Sequence, residues 1–306
     1  MPIYHVTGLV ALLTQFIHAG ARIYLHRRFD ARRLLDCVRD EGITYLHASP
    51  TAFEKVLALR ADYPSLPSLR AILSGSSYEP VGKMRAFHDW MPACAFQVVY
   101  GLTETASPAL LFPYDSPTSV YAGATGKPVP GVDVRIVDES GSEVEDGRVG
   151  EILLSGTCVT PGYYNSEAEA LDEGGWLATG DMGYADAHGM VWVVDRKKDM
   201  INRGGEKVWC SCLEEIIGAL PGVCEVCVTG IPDELYGEVP VAAIVPTGDV
   251  KLTEASIIAA LRKRVAGFEV PEYVVLVDSI PQTIGDKPDR VAVRTVVLDQ
   301  IKENLR

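Results

Sequence analysis

The sequence predicts an α/β protein in two parts. The first is a mostly parallel sheet with helices on its faces, followed by a β-rich hairpin subdomain; the second is a small α+β domain. Three observations carry this. Between Ala21 and Gly101 short β-type runs alternate with helix-length segments, the pattern of strands joined by crossover helices. Between Tyr121 and Val194, in stretches such as "VDVRIVDESGSEVEDGRVGEILLSG", apolar and polar residues alternate around glycine-containing turns, as in antiparallel hairpins. From Asp195 onward helical and strand patterns mix again over roughly 110 residues, an ordinary domain size. The boundary falls at Asp195 to Lys198, giving domains 1–195 and 196–306, and a chain of 306 residues agrees with two domains.

The elements follow in order. "VTGLVALLTQFIHAGAR" joins an apolar run to Ala19-Gly20-Ala21, which imitates a signal-peptide cleavage site. No Lys or Arg precedes the run, and a secretory leader needs one, so a buried helix is expected. "ARIYLH" reads as a strand. Asp30 is placed to cap a helix that runs to Glu41 and stops at Gly42. "ITYLHAS", "LRAILSG" and "FQVVYG" read as strands, and "PTAFEKVLALR" and "EPVGKMRAFHDW" as the helices between them. Two strands end in small turn-forming residues, "SGSS" and "YGLTET", and ligands of open α/β sheets sit beyond such strand ends. The second part holds a helix over Leu213–Leu220, strands "EVCVTG" and "VAAIVP", a helix over Glu254–Val265 and the strand "YVVLV".

Composition narrows the function. A formal charge of −13 argues against broad nucleic-acid or anionic-membrane binding, which needs an extended basic face. No apolar run reaches membrane-spanning length. Seven cysteines, an odd number in a chain this large, point to free thiols in a reducing cytoplasm. Against that acidic background "DRKKDMINRGGEKV" holds five basic residues and a double glycine, and asks for an anionic partner of limited size.

Four constellations carry chemistry. "YGLTETAS" places an aromatic ring, a glycine, hydroxyls and Glu104 on one turn after a strand. Such a turn suits an anion or a hard cation such as Mg²⁺; it reads equally as a polar turn whose threonines cap the next helix. In "GWLATGDMGYADAHGMVWVVDRKKD" Asp181 follows a Thr-Gly turn and Arg196 ends a strand. The two would grip ribose hydroxyls or make a surface ion pair. "GATGKPVPG" imitates a phosphate loop but its glycine spacing is too short and Pro128 stands where a hydroxyl is needed. "IPQTIGDKPDR" presents Lys287 between two prolines, alone an ordinary exposed lysine. Zinc is not expected, since the spacings of Cys210, Cys212, Cys224 and Cys227 miss the paired pattern.

Taken together and in this order, the segments resemble the adenylate-forming superfamily, and within it the AMP-forming acyl-CoA synthetases. "YGLTETAS" resembles the family's adenine and metal turn, and "WLATGD" its ribose-binding aspartate motif. "VVDRKKDMINRGGEKV" resembles its hinge, "VCEVCVTGIPDELYGEVPVAAIV" its C-terminal domain core and "IPQTIGDK" its lysine loop. The resemblance implies ATP and its product AMP, Mg²⁺ and coenzyme A as ligands and a carboxylic acid, fatty or aryl, as substrate. By position it implies Gly75, Ser76, Ser77, Tyr100 and Gly101 at the adenine, Thr103 at the α-phosphate or acyl carboxylate, and Glu104 on Mg²⁺. It implies Asp181 and Arg196 at the ribose, Lys198 as the pivot, Gly204 and Gly205 beside the pantetheine arm, and Lys287 as the adenylation lysine. His5, in "YHVTGL", matches the family's histidine near the acyl pocket.

The sequence also departs from the family pattern. Gly285 is separated from Lys287 by Asp286, Tyr78 stands where proline is common, and Cys212 replaces a glutamate. The family's phosphate loop lies upstream of the histidine motif, at which this chain begins, so the large domain is expected to be partial. An unpaired sheet edge and an uncovered apolar face would follow, and with them self-association or a partner chain. Loading of a carrier protein, a non-catalytic nucleotide-binding remnant and one subunit of a split ligase are the rival readings.

Overall fold

Local chemistry sets where the elements of the first half begin and end. The computed structural model describes residues 1–113, 116–166, 170–248, 250–283 and 287–304. Its contacts divide it into two units, Met1–Val193 and Val194–Arg306. In the first, a π-helix over Thr7–Thr14 runs into α1 (Gln15–His18). Helix α2 (Ala31–Glu41) starts at Asp30, whose carboxylate accepts from the Arg33 N–H at 2.8 Å, and stops at Gly42 with φ 66°. Strand β1 (Tyr45–Ala48) leads to Ser49, which caps α3 (Pro50–Leu57). Pro50 costs nothing there, because the first N–H of a helix has no partner within it.

Strand β2 (Ala71–Gly75), helix α4 (Val81–Trp90) and strand β3 (Ala95–Tyr100) continue the alternation, and short strands β4 (Leu110–Leu111) and β5 (Lys127–Pro128) close it. The sheet order is β1-β2-β3-β4-β5, its first three strands parallel and its last two antiparallel. Its core is aromatic. The Phe87 ring lies 5.5 Å from Phe53 and 5.4 Å from Phe96, with Leu35 and Met84 buried around them.

A second sheet, antiparallel from β6 to β8, follows in the order β6 (Val132–Val137), β7 (Gly150–Gly156), β8 (Leu177–Ala185), β9 (Val191–Arg196). Val132, Ile152, Leu154 and Val191 pack with Ala109 and Leu110, and Tyr100 and Leu102 lie against that cluster. The carboxyl end of β3 is thereby pressed onto the second sheet.

The second unit is built on the antiparallel pair β12 (Val223–Asp233) and β13 (Gly237–Pro246). Before it come the hairpin β10 (Ile201–Arg203) and β11 (Glu206–Val208) and helix α5 (Cys210–Gly218); after it come α6 (Glu254–Leu261), β14 (Tyr273–Leu276) and α7 (Arg290–Asn304). Side-chain alternation splits the pair between two cores. Val228, Ala242 and Ile244 pack with Leu213, Ile217 and Leu261, whereas Cys227, Val241 and Ala243 pack with Val293 and Val297. Both faces are covered, which is why "VAAIVP" is almost continuously apolar.

Several expectations need correction. Ala21–His26 forms no strand: the segment finds no ladder partner among the described residues, and Ile23 and Leu25 are exposed. The first helical segment is not fully buried; Thr7, Gly8 and Ala11 are, but Leu9 and Ile17 are exposed. Thr179-Gly180 is a distortion inside β8, with Gly180 at φ 70°, not a turn before Asp181. The β10–β11 hairpin and α7 were not anticipated. Valines mask α7 as strand-like, yet Val293, Val297 and Ile301 share one helical face and Asp289 accepts from the N–H groups of Val291 and Ala292. Among the described residues no helix is long and apolar enough to cross a membrane.

Gly75 pairs with Val99 across β2 and β3 and leaves no room for a side chain. A Cβ there would lie 2.5 Å from Val99 Cγ2 and 2.6 Å from the Val99 carbonyl oxygen. Gly75→Ala should therefore lower stability by about 1–3 kcal/mol, the cost of overpacking. Gly82→Ala, in α4 with open space around it, should be neutral or raise stability by up to about 1 kcal/mol. Urea midpoints of the two variants, with Gly82 as the control, check this.

Candidate functional site

Strands β2 and β3 are parallel neighbours with Gly75 paired to Val99, so the loops that follow them leave the same edge of the sheet. Backbone strain concentrates there. Among the described residues, the non-glycine positions with positive φ are Ser76 (78°), Ala106 (53°), Ser107 (39°) and Asn165 (53°), and the first three lie in these two loops. Such conformations persist where the surroundings enforce them and cluster at ligand sites.

The first loop is clamped at its base. The Ser74 hydroxyl donates to the Glu79 carboxylate, and both side chains are buried. Between them Ser77 is exposed, while the buried Ser76 hydroxyl oxygen has no hydrogen-bond partner among the described residues. An orphaned buried hydroxyl is costly unless a ligand completes it. Burial raises the Glu79 carboxyl from the ordinary 4.5 to about 7, against the Ser74 hydrogen bond and the Lys83 charge, which lower it.

In the second loop a threonine caps the turn, as its sequence allows. Thr105 caps it: its Oγ1 accepts from the Leu102 N–H at 3.0 Å and donates to the Leu102 carbonyl at 3.1 Å. Thr103 stays exposed and Glu104 half-buried on the same short 3₁₀ turn. Tyr163 donates its hydroxyl to Glu104 Oε1 at 2.8 Å, and the Thr160 N–H holds the Glu104 carbonyl at 2.7 Å. At Gly101 a Cβ would meet Ser107 Cα and Oγ at 3.1 Å, so the chain doubles back tightly beside it.

Asp181 comes to these loops from β8. It is 3% exposed, and Tyr100 donates its hydroxyl to Asp181 Oδ2 at 2.6 Å. The backbone below is fixed as well: Thr179 donates to the Ile152 carbonyl at 2.7 Å and accepts from the Asp181 N–H at 3.1 Å. His5 lies at the start of the π-helix, where its Nδ1 accepts from the Thr7 N–H at 3.3 Å.

The remaining candidates belong to the second unit. Arg196 ends β9 and Lys198 lies in the turn before β10, both exposed. Gly204 and Gly205, with φ 62° and 99°, close the β10–β11 hairpin. A two-residue turn with both φ positive calls for glycine whatever passes beside it. Lys287 is half-buried on a loop closed by a bridge between Gln282 and Pro288 and by a 2.8 Å hydrogen bond from the Thr283 N–H to the Lys287 carbonyl. Gly285 and Asp286, which depart from the family pattern, lie outside the described residues. Sequence reasoning missed Tyr163 and Glu79. No spacing signal relates Tyr163 to Glu104 across 59 residues, but a glutamate opening an apolar helix two residues after "GSS" was visible.

Comparison with known proteins places this geometry. Residues 1–164 match the AMP-binding enzyme family, and residues 213–287 match the AMP-binding enzyme C-terminal domain. The chain belongs to the AMP-binding enzyme family. It is 35% identical over 300 residues to an indoleacetate–CoA ligase of Aromatoleum aromaticum, covering 97% of this chain and 58% of that protein. Among solved structures it resembles ATP-bound MatB from Rhodopseudomonas palustris, with TM-score 0.89 and 29% identity over 97% of this chain and 59% of that one. It also resembles the O-succinylbenzoate coenzyme A synthetase MenE of Bacillus subtilis in complex with ATP and magnesium ion, with TM-score 0.84 and 28% identity over 95% of this chain and 59% of that one. The chain thus spans under two thirds of the length of these relatives.

The clamp beneath the first loop of this AMP-binding fold makes a pH prediction. A carboxyl whose folded pKa is raised contributes stability that is full below about 4.5 and is lost as pH rises through about 7. Glu79→Gln keeps the oxygen that accepts from Ser74 and never ionises. It should match the parent near pH 4.5 and exceed it by roughly 3 kcal/mol at pH 8, the worth of about 2.5 pKa units. Denaturation midpoints measured across that pH range provide the check.

Proposed function

We propose that the chain provides the adenylate-handling site and mobile C-terminal domain of an AMP-forming acid–thiol ligase acting on an aryl carboxylic acid. The Tyr100–Asp181 hydrogen bond is the observation that carries this reading. It joins the adenine and ribose positions implied by the motifs into one site, next to the exposed Thr103 and the half-buried Glu104. Aryl rather than fatty substrates are favoured by two of the relatives above, an indoleacetate–CoA ligase and an O-succinylbenzoate coenzyme A synthetase. The proposed setting is the cytoplasm.

The chemistry has two steps. The substrate carboxylate attacks the α-phosphorus of ATP and releases pyrophosphate; the CoA thiolate then displaces AMP from the acyl adenylate. Asp181 accepts from the ribose hydroxyls, Tyr100 packs on the adenine, the Ser76 hydroxyl completes its contact there, and Thr103 donates to the α-phosphate or the acyl carboxylate. A single carboxylate beside an exposed hydroxyl fits Mg²⁺, which binds through one or two carboxylates and substrate phosphates; it would supply charge neutralisation. Lys287 supplies the ammonium that the first transition state needs, and Arg196 is assigned to the ribose. Rotation about Lys198 withdraws Lys287 for the second step and brings Gly204 and Gly205 to the pantetheine arm.

A second reading, a nucleotide-binding subunit completed by another chain, is favoured by the exposed apolar residues Ile3, Tyr4, Leu9, Ile17, Ile23 and Leu25. The two are separated by assaying pyrophosphate release with aryl acids and thioester formation from supplied acyl-AMP.

Lys287→Ala should slow acyl-AMP formation by ~10²–10³-fold, the usual loss of one transition-state donor, and leave thioester formation within a few-fold. Equal loss in both half-reactions would remove Lys287 from its assigned role. The apolar surface gives an independent expectation, since patches of that kind mark association sites. The chain should self-associate in sedimentation experiments as its concentration rises, and Ile17→Glu combined with Leu25→Glu should hold it monomeric.

A further inference from the structure

Arg290 lies three residues beyond Lys287 and makes several polar contacts at once. Its guanidinium donates to Glu214 Oε1 at 2.5 Å and to Glu214 Oε2 at 3.0 Å, a two-pronged pair. It also donates to the Val228 carbonyl, lies 3.9 Å from Cys227 Sγ, and places Nε 3.7 Å from Asp199 Oδ2. Glu214 in turn accepts from the Val228 N–H at 2.8 Å. β12 borders the sheet, so both outward-facing backbone groups of Val228 are completed by this one side-chain pair instead of by another strand.

The chain between Lys287 and Arg290 has little freedom. The Asp289 N–H donates to the Pro281 carbonyl at 2.8 Å, and the Asp289 carboxylate caps the first turn of α7. The Gln282–Pro288 bridge and the Thr283–Lys287 bond close the loop on the other side. Whatever holds Arg290 therefore holds the backbone of Lys287. Asp199 is the residue directly after Lys198, and its carbonyl accepts from Cys210 Sγ at 3.0 Å. The same guanidinium thus joins the lysine loop, α5, β12 and the first residue past the proposed pivot.

We propose that Arg290 is a positioning residue for Lys287: it anchors the lysine loop to Glu214, Val228 and Asp199, so that a turn about Lys198 carries Lys287 with no slack between pivot and ammonium. This rests on the reading of Lys287 as the adenylation lysine. A guanidinium suits the task because it offers a planar fork to Glu214 and a further N–H to Asp199 at once; an ammonium is a point charge that cannot do both. Small displacements of a catalytic group are expensive, with about 1 Å costing on the order of 10²-fold in rate.

The test uses the full chain with Arg290→Lys, which keeps the charge, and Glu214→Gln, which keeps the shape of the partner. Hydrogen exchange followed by mass spectrometry should show the amides of 287–292 exchanging at least about tenfold faster in both variants, with β13 amides within about twofold of the parent. The adenylation kcat should fall ~10–100-fold with the KM for ATP changed less than about threefold, and thioester formation from supplied acyl-AMP should persist. Unchanged exchange in the loop would overturn the anchoring. So would exchange accelerated equally through β13, or equal loss of both half-reactions, since each describes a general structural role. Lys287→Ala run in parallel separates the two ideas: adenylation that survives it defeats the reading of Lys287, while the exchange experiment still decides whether Arg290 holds the loop.

Discussion

A hydroxyl donated from Tyr100 to a buried Asp181 ties together two sheets that have no sequence signal in common. The parallel sheet contributes Tyr100 as the last residue of its third strand, and the antiparallel sheet contributes Asp181 from the middle of β8. A buried carboxylate needs donors, because its desolvation otherwise costs several kcal/mol. The apolar cluster around Leu110, Ile152 and Leu154 brings the two strands within reach, and the hydrogen bond then aligns them. The loops that follow β2 and β3, with Ser76 on the first and Thr103 and Glu104 on the second, leave the same sheet edge at which Tyr100 ends its strand.

The second unit is organised on the same principle with opposite charge. Its centre is a guanidinium, and its partners are a carboxylate on α5, a backbone carbonyl on β12 and the carboxylate of Asp199. Buried ion pairs add little net stability compared with apolar packing, so their retention calls for a reason beyond folding. Orientation supplies one. Packed side chains alone leave a loop free to slide, whereas a forked hydrogen-bonded pair fixes it in direction as well as distance. Adenylate chemistry has the same requirement, since charge develops at one phosphorus and a displaced ammonium cannot meet it.

The acidic composition and the basic cluster over Asp195–Val208 are compatible once the small size of the partner is considered. A nucleotide needs a few cations at defined places, not an extended positive face. Lys198 and Arg196 are exposed in and beside one turn, while Arg203 is withdrawn from solvent by Glu272 and the carbonyls of Phe268 and Val270. The cluster therefore contains withdrawn and exposed cations side by side, and only the coordinates distinguish them.

Much was legible in the sequence for local reasons. Asp30 and Gly42 bound α2 because a short carboxylate accepts a free N–H and glycine alone enters the left-handed region cheaply; Ser49 and Pro50 open α3 on similar grounds. The strands "EVCVTG" and "VAAIVP" are equally local, whereas the double glycine gave no notice that it closes a two-residue turn between β10 and β11. The failures were of another kind. Ala21–His26 has the composition of a strand but no ladder partner among the described residues, and α7 has a strand-like composition but a capped start and an apolar helical face. The Tyr100–Asp181, Tyr163–Glu104 and Arg290–Glu214 bonds join residues 81, 59 and 76 positions apart. The sequence by itself determined the family motifs and the candidate residues within them, because motif chemistry is written in adjacent positions. Only the tertiary structure decided which of them meet, because a hydrogen bond is made by distance and direction, and long-range packing sets both.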